Sequence, residues 1–233
     1  MLKKLSLTAM VLLAPAVTVH ADGPRTLTDS LPAGAIESIA LDTGVGDVEI
    51  TGKSNTDEVV VAVLLTPRRG GFFSSKRQAE REVAAASLHA AISGLRLTVG
   101  IEPKSKDQRF EEHWTIEIPA RLEIDLNHGV GDIKIRGVAG GLTVDSGVGE
   151  ILIEIPGGDV VVNLGVGTAV IRAPAGAYAS AEGVGGVGDA RISVQGARIP
   201  SEGFVGHSAR WTGDGTSHIE VEVGVGDAVI NLK

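Results

Sequence analysis

Glycine recurs at every ninth position in the stretch GVGDIKIRGVAGGLTVDSGVGEILIEIPGGDVVVNLGVGTAVI, residues 129–171. The series continues beyond that stretch and comprises Gly131, Gly140, Gly149, Gly158, Gly167, Gly176 and Gly185. Gly-Val-Gly turns stand 18 residues apart, at 129–131, 147–149, 165–167 and 183–185, with different turns between them. A fixed period of this length indicates a repeat architecture. We therefore take 18 residues as the structural unit.

The residues between the glycines follow a strand pattern. The second and fourth positions after each phased glycine are mostly apolar, as in Ile133 and Ile135 or Ile151 and Ile153. This alternation predicts short strands with one buried face, joined at glycine corners. Because identical turns return after 18 residues, stacked coils are favoured over hairpins. We predict an all-β fold, a parallel β-solenoid with about 18 residues per coil, in which Ile133 lies beside Ile151.

The first 21 residues have the pattern of a secretory signal peptide. Lys3 and Lys4 precede an apolar core at 5–17, and Val19-His20-Ala21 forms a cleavage site. The alternative is an uncleaved N-terminal anchor. We expect residues 22–233 to form one exported domain, in the periplasm or outside the cell, with no membrane span in the mature chain.

Composition excludes several classes of function. The chain has no cysteine, so it has no disulfide and no thiolate metal site. An exported chain without cross-links is typical of the bacterial envelope. Without Lys3 and Lys4 the chain has 19 basic and 29 acidic residues, a net charge of about −10. Nucleic acid and anionic lipid are poor partners for such a surface.

The Gly-Val-Gly corner and the strand residues after it also occur outside residues 129–185, where the glycines follow the nine-residue period. GVGDVEI stands at 44–50 and GVGDAVI at 224–230, so we predict that the solenoid runs the length of the mature chain. This motif is absent from an insertion at about 66–101. There we predict a helix over 74–86 and a hairpin around Gly94, which together cap one end of the solenoid or project from its side.

A resemblance agrees with this interpretation. HWTIEIPARLEIDL at 113–126, followed by GVGDIKI at 129–135, resembles the bacterial putative-adhesin family of repeat proteins. Members of that family carry a strand that ends in proline, followed by Gly-x-Gly-Asp turns that open short strands. The preceding helix and hairpin, and the closing segment 213–230, also resemble the family. The resemblance implies a parallel β-solenoid in an exported envelope protein, and it implies no catalytic residues.

An acidic residue follows several corners, and four of these residues are calcium candidates: Asp47, Asp132, Glu150 and Asp227. On stacked coils such carboxylates would lie about 4.8 Å apart, and calcium prefers oxygen ligands. The spacing differs from that of the calcium-binding nonapeptide repeat. The alternative is that these side chains accept hydrogen bonds from local backbone amides. We predict no metal or cofactor site and keep the four residues as weak calcium candidates.

The chain has few candidates for catalysis. A glycan-cleaving site would need clustered carboxylates, and Glu123, Asp125 and Asp145 are the nearest approximation. Strand alternation makes each of them an ordinary outward residue, so we predict that the protein is not an enzyme. An enzymatic site would instead predict loss of turnover on changing Asp125, Asp132 or Asp145.

Apolar side chains at outward positions are the interface candidates. Leu152 and Val170 should point outward and stack, covered by the inserted helix or by a second copy of the chain. Phe72 and Phe73, in the insertion, and Trp211, in the 203–216 loop, are the other candidates. The two phenylalanines cover an open solenoid end or bind a partner.

These observations predict an exported, non-enzymatic binding or scaffolding protein of the cell envelope or surface. A repeated face would bind envelope polysaccharide or an envelope protein through many similar contacts, with self-association as a further outcome. The alternative is a periplasmic structural or sensing module that docks a protein partner at Phe72-Phe73 or near Trp211. A glycan-active enzyme is the remaining alternative.

Overall fold

The computed structural model describes residues 23–68, 76–103, 108–203 and 206–233. The first elements are β1 (Arg25–Pro32), β2 (Ser38–Val45), β3 (Val48–Lys53), β4 (Glu58–Pro67), α1 (Lys76–Ala85), β5 (Ser87–Ser93), β6 (Arg96–Glu102) and β7 (Phe110–Pro119). The later elements are β8 (Glu123–Val130), β9 (Ile133–Arg136), β10 (Leu142–Glu154), β11 (Val160–Ala173), a 3-10 turn (Ala175–Ala177), β12 (Tyr178–Val187), β13 (Ala190–Val194), β14 (Ala197–Ile199), β15 (His207–Thr212) and β16 (Ser217–Leu232). The signal peptide predicted for 1–21 and the Phe72-Phe73 pair lie outside the described residues.

The predicted 18-residue register is present at the centre of the sheet. Strands β10 and β11 pair in parallel, with Leu142 beside Val160 and Ile151 beside Ala169. Strand β9 continues the stack, with Ile133 beside Ile151. Equivalent positions of successive repeats therefore lie side by side, so their inward side chains form continuous rows in the core.

Strands β10, β11 and β16 each pass through a Gly-Val-Gly corner and so connect two halves of the sheet. The first half runs β5–β6–β2–β8–β10–β11–β16–β12–β15, and the second runs β1–β4–β7–β3–β9–β10–β11–β16–β13–β14. Inward side chains of the two halves, such as Val144 and Ile153, belong to one continuous hydrophobic cluster. Both are fully buried, so the core lies between the two halves.

The predicted fold class, a parallel β-solenoid, is wrong. A single mixed sheet of 16 strands forms a nearly closed, barrel-like fold in the described part of the chain. Five of its strand pairings are antiparallel: β1–β4, β4–β7, β5–β6, β12–β15 and β13–β14. These pairings flank the parallel centre, and they cover edges that a parallel stack would expose.

Strand order also departs from chain order. The last strand, β16, lies between β11 and β12, with Val221 beside both Val162 and Gly183. In β12 the corner that aligns with 224–226 is Gly186-Val187-Gly188, and the predicted turn at 183–185 lies inside the strand. Because several repeats carry the same corner, each offers an equivalent surface to its neighbour, and the period in the sequence does not determine which repeats meet.

The insertion forms the predicted elements. Helix α1 buries Ala79 and Val83, and β5 and β6 pair antiparallel around Gly94. Strand β6 also pairs with β2, so the hairpin covers an edge of the first half-sheet. In the described ranges no helix combines the length and apolar content needed to cross a bilayer, and α1 has only 10 residues.

Candidate functional site

The second glycine of each corner has a backbone conformation that side chains disfavour. Gly131, Gly149 and Gly167 have φ values of 140°, 154° and 143°. A Cβ atom at Gly149 would lie 1.9 Å from the carbonyl oxygen of Gly131 on the neighbouring strand. Only glycine allows this combination of positive φ and close approach. Repeating it on successive strands produces a straight, uniform corner.

The first glycine of each corner forms the floor of a groove on the outer surface. Gly129, Gly147, Gly165 and Gly224 line a cavity of about 670 Å³ that is open to solvent. A Cβ atom at Gly147 would lie 2.5 Å from the carbonyl oxygen of Gly129, so this row also excludes side chains. The volume is in the range of ligand-binding clefts, roughly 300–1,000 Å³.

One wall of the groove is a row of acidic and amide side chains, which we call the polar row: Asp42, Asn127, Asp145, Asn163 and Glu222. Its members are paired in register on adjacent strands, about 4.8 Å apart. All five residues are exposed. The Asn163 Nδ2 group donates a hydrogen bond of 2.8 Å to Asp145 Oδ1. Among the described residues, no lysine or arginine lines the groove.

The polar row offers both kinds of hydrogen-bonding group to a ligand. Ionised carboxylates accept hydrogen bonds, whereas amides both donate and accept. Ligand hydroxyl groups, which also donate and accept, match this set. Because the groups repeat from strand to strand, the groove suits an extended ligand that crosses the strands.

Sequence reasoning missed the polar row although its signal is present. An acidic or amide residue stands three positions before the valine of the corner in five repeats, as in Asp145 before Val148 and Asn163 before Val166. Asp145 stands in the sequence analysis only as a catalytic candidate, in a cluster with Glu123 and Asp125. Aligning the repeats on their corners, rather than on the phased glycines, identifies all five residues.

Polar side chains are also buried beneath one end of the groove. Thr43, His128 and Ser146 are 6%, 6% and 8% exposed and occupy one inward row. Thr43 Oγ1 lies 2.7 Å from His128 Nδ1. Burial lowers the pKa of His128 from its ordinary value of 6.5, although the Gly131 backbone and the carboxylates of Asp47 and Asp132 oppose this effect. The same row continues as Leu164 and Val223, so the core becomes apolar further along.

The carboxylates of three of the four calcium candidates, Asp47, Asp132 and Asp227, connect neighbouring repeats. Asp47 Oδ1 accepts the Asp132 N–H at 3.2 Å, and Asp132 Oδ1 accepts the Glu150 N–H at 3.0 Å. Asp227 Oδ1 accepts the Asp189 N–H at 3.0 Å. These bonds favour the backbone alternative, although the amides belong to neighbouring repeats rather than to the local turn. In the described part of the chain, no three His, Asp or Glu side chains converge as a metal site would require.

The carboxylates considered for catalysis occupy different environments. Asp125, paired with Thr143, and Asp145, paired with Asn127, are diagonal neighbours on β8 and β10. Asp125 forms an ion pair with Arg96, whereas Asp145 belongs to the polar row. Asp132 lies beyond the corner, where it accepts the Glu150 amide.

The apolar interface candidates are half-buried. Leu152 pairs with Val170, as predicted, and Val170 pairs in turn with Val229. Helix α1, expected to cover them, contacts β4 and β7 instead. The side chain of Trp211 packs against the edge of the hydrophobic core.

Comparison with known proteins provides a structural neighbour. No protein-family model matches the chain. No curated protein matches it either. A crystal structure described as a putative cell adhesion protein from Clostridium sporogenes has 19% identity and a TM-score of 0.58, and the match covers 90% of this chain and 100% of that chain. A putative adhesin from Bacteroides fragilis has 14% identity and a TM-score of 0.36, with 89% and 97% covered. The Clostridium structure establishes a shared fold.

Proposed function

We propose that this protein is an exported, non-enzymatic binding protein of the cell envelope or cell surface. The observation that supports this function best is the polar row, which repeats along an open groove with a glycine floor. The fold shared with a protein described as a putative cell adhesion protein is consistent with it. The N-terminal signal pattern at 1–21 supports export.

The proposed ligand is a polysaccharide lying across the strands. Its hydroxyl groups would bond to the carboxylates and amides of the polar row, and one strand after another would supply a similar contact. Each contact is weak because it replaces a hydrogen bond to water. Several contacts on one chain act together, so a long glycan binds more tightly than a short one.

Co-sedimentation tests this proposal. The purified chain from residue 22 is mixed with cell-envelope fractions and with insoluble polysaccharides, and bound protein is measured against total polysaccharide. We expect saturable binding to at least one fraction and no release of new reducing ends on long incubation. Failure to sediment with any fraction, or release of reducing ends, would contradict the proposal.

Two glutamates on β16 provide a matched pair of variants. Glu222 lines the groove, whereas Glu220 is exposed on the same strand face two residues away and is absent from the groove lining. We expect Glu222→Ala to weaken binding about tenfold, the value of one charge-assisted hydrogen bond, and Glu220→Ala to leave it unchanged. Equal effects of the two substitutions would place the ligand elsewhere.

A further inference from the structure

A row of valines runs along the corner beside the groove. The middle residues of the corners pair in register from strand to strand, and they form what we call the valine row: Val45, Val130, Val148, Val166, Val225 and Val187. Val45 is half-buried, and the other five are 44–62% exposed. Glycines stand on both sides of each valine, so no neighbouring side chain on the same strand covers it. The result is a continuous apolar stripe across six strands.

Carboxylates border this stripe on both sides. On β10, Asp145 precedes and Glu150 follows Val148; on β16, Glu222 and Asp227 hold the same positions around Val225. Eight carboxylates border the row: Asp42, Asp47, Asp132, Asp145, Glu150, Asp189, Glu222 and Asp227. Arg191 pairs with Asp189 and also lies 3.9 Å from Asp227. The stripe therefore lies between two rows of predominantly negative charge.

We propose that the valine row binds a basic amphipathic α-helix of a partner protein. Valines recur about every 4.8 Å along the row, and a helix presents one apolar turn about every 5.4 Å, so the two periods nearly match. Six valines span about 24 Å, the length of roughly 16 helical residues. Lysines and arginines beside the apolar face of the helix would meet the bordering carboxylates. This inference goes beyond the proposed glycan function: the valines are not part of the groove lining, although Asp42, Asp145 and Glu222 border both surfaces.

The same charges disfavour other occupants. A second copy of the chain would place its own carboxylates against these, and like charges repel. An anionic membrane would be repelled for the same reason. A basic amphipathic helix would pack its apolar face on the valines and place its positive charges beside the bordering carboxylates.

Fluorescence anisotropy with a model peptide tests the proposal. The probe is a labelled helix of about 18 residues, with leucines at i, i+3, i+4 spacing and lysines elsewhere. We expect saturable binding that weakens with salt, and little binding of a shuffled peptide of the same composition or of a leucine–glutamate analogue. Equal binding of the shuffled or acidic peptide would overturn the proposal.

Variants locate the peptide on the chain. The double substitution Val148→Thr, Val166→Thr conserves shape at two exposed positions and should weaken binding roughly tenfold. Val60→Thr, at a position 37% exposed on β4, is the matched control and should have no effect. Glu150→Gln should reduce the salt dependence. An unchanged affinity in the double variant overturns the proposal, provided that its thermal melt is unchanged.

Two further measurements separate this inference from its alternatives. If the chain self-associates in sedimentation equilibrium and the double variant does not, the valine row binds a second copy of the chain. If the chain binds phosphatidylglycerol vesicles and the double variant does not, the valine row binds a membrane. Asn163→Ala alters the groove without changing its charge, so it should reduce glycan binding and leave peptide binding intact. The double variant should reduce peptide binding and leave glycan binding intact, so the glycan proposal and the helix proposal can fail independently of each other.

Discussion

Glycine has two different roles within a single nine-residue series. Gly167 has φ 143°, and a Cβ there would lie 1.8 Å from the carbonyl oxygen of Gly149. Gly176, nine residues later, has no atom within 4 Å of the equivalent Cβ position and no positive φ. The period alone does not distinguish a glycine that the fold requires from one that only continues the spacing.

Alanine substitutions should separate these roles. We expect Gly167→Ala to lower the free energy of unfolding by at least about 3 kcal/mol, because the strand must move and its φ is strained. Gly176→Ala should change it by less than about 1 kcal/mol. Urea denaturation followed by circular dichroism measures both, and comparable losses would contradict the assigned roles.

His128 should make stability depend on pH. Burial lowers its pKa in the folded chain, so the unfolded chain takes up the proton first as the pH falls. The free energy of unfolding should therefore decrease as the pH drops below about 6.5. His128→Leu should flatten this decrease, because Leu164 occupies the equivalent inward position two strands away.

Thermal melts of the two proteins between pH 7.5 and 5.5 provide the measurement. All other titratable groups are common to the two proteins, so the difference between the melts reports on His128. Parallel pH dependence in the two proteins would show that another group is responsible.

At the scale of elements, alternation was the most reliable signal. Ile151 and Ile153 were predicted inward and are fully buried, and Leu152 between them is half-buried on the outer face. The helix at 76–85 and the hairpin around Gly94 were also predicted correctly. These features depend on local periodicity and turn chemistry, which a single segment contains.

Adjacent positions on β10 should differ sharply in their effect on stability. We expect Ile153→Ala to cost about 2–5 kcal/mol, because it leaves a cavity in the core between the two half-sheets. Leu152→Ala should cost about 1 kcal/mol or less, since part of that side chain already contacts solvent. Chemical denaturation of the two variants checks the difference, and a larger loss at Leu152 would mean that another surface covers it.

At the scale of the whole molecule, the last strand, β16, lies in the middle of the sheet rather than at its edge. β16 pairs with β11 on one side and with β12 and β13 on the other. In a solenoid stacked in chain order it would be the final, exposed coil, free to fray. Its central place makes the two ends of the repeat region interdependent.

Native-state hydrogen exchange should report this position. We expect the amides of β16 to exchange as slowly as those of β10 and β11, and the amides of the edge strand β15 to exchange faster. The comparison needs only the folded chain and no variant. Rapid exchange throughout β16, at the rate of β15, would indicate a frayed terminal strand and contradict the observed order.

The candidate site was partly accessible from the sequence. The acidic residues after the corners were found, but their role required the structure, because the carboxylates of Asp47, Asp132 and Asp227 accept hydrogen bonds from amides of neighbouring repeats 18 to 85 residues away. Asp145 was named, but the polar row as a repeat was missed, because its members precede the corners and an alignment on the phased glycines emphasises the positions after each corner.

The corners, the strands with their buried faces, and the 18-residue register between adjacent repeats all follow from the sequence alone. Each has a local cause: the backbone freedom of glycine, the two-residue period of a strand, and the equivalence of repeated side chains. Three features are visible only in the folded chain: β16 inserts beside β11, antiparallel strands flank the parallel centre, and the sheet is mixed. Repeats with the same corner motif offer equivalent surfaces to a neighbouring strand. The order of the strands in the sheet therefore depends on how the whole chain covers its edges and fills one core.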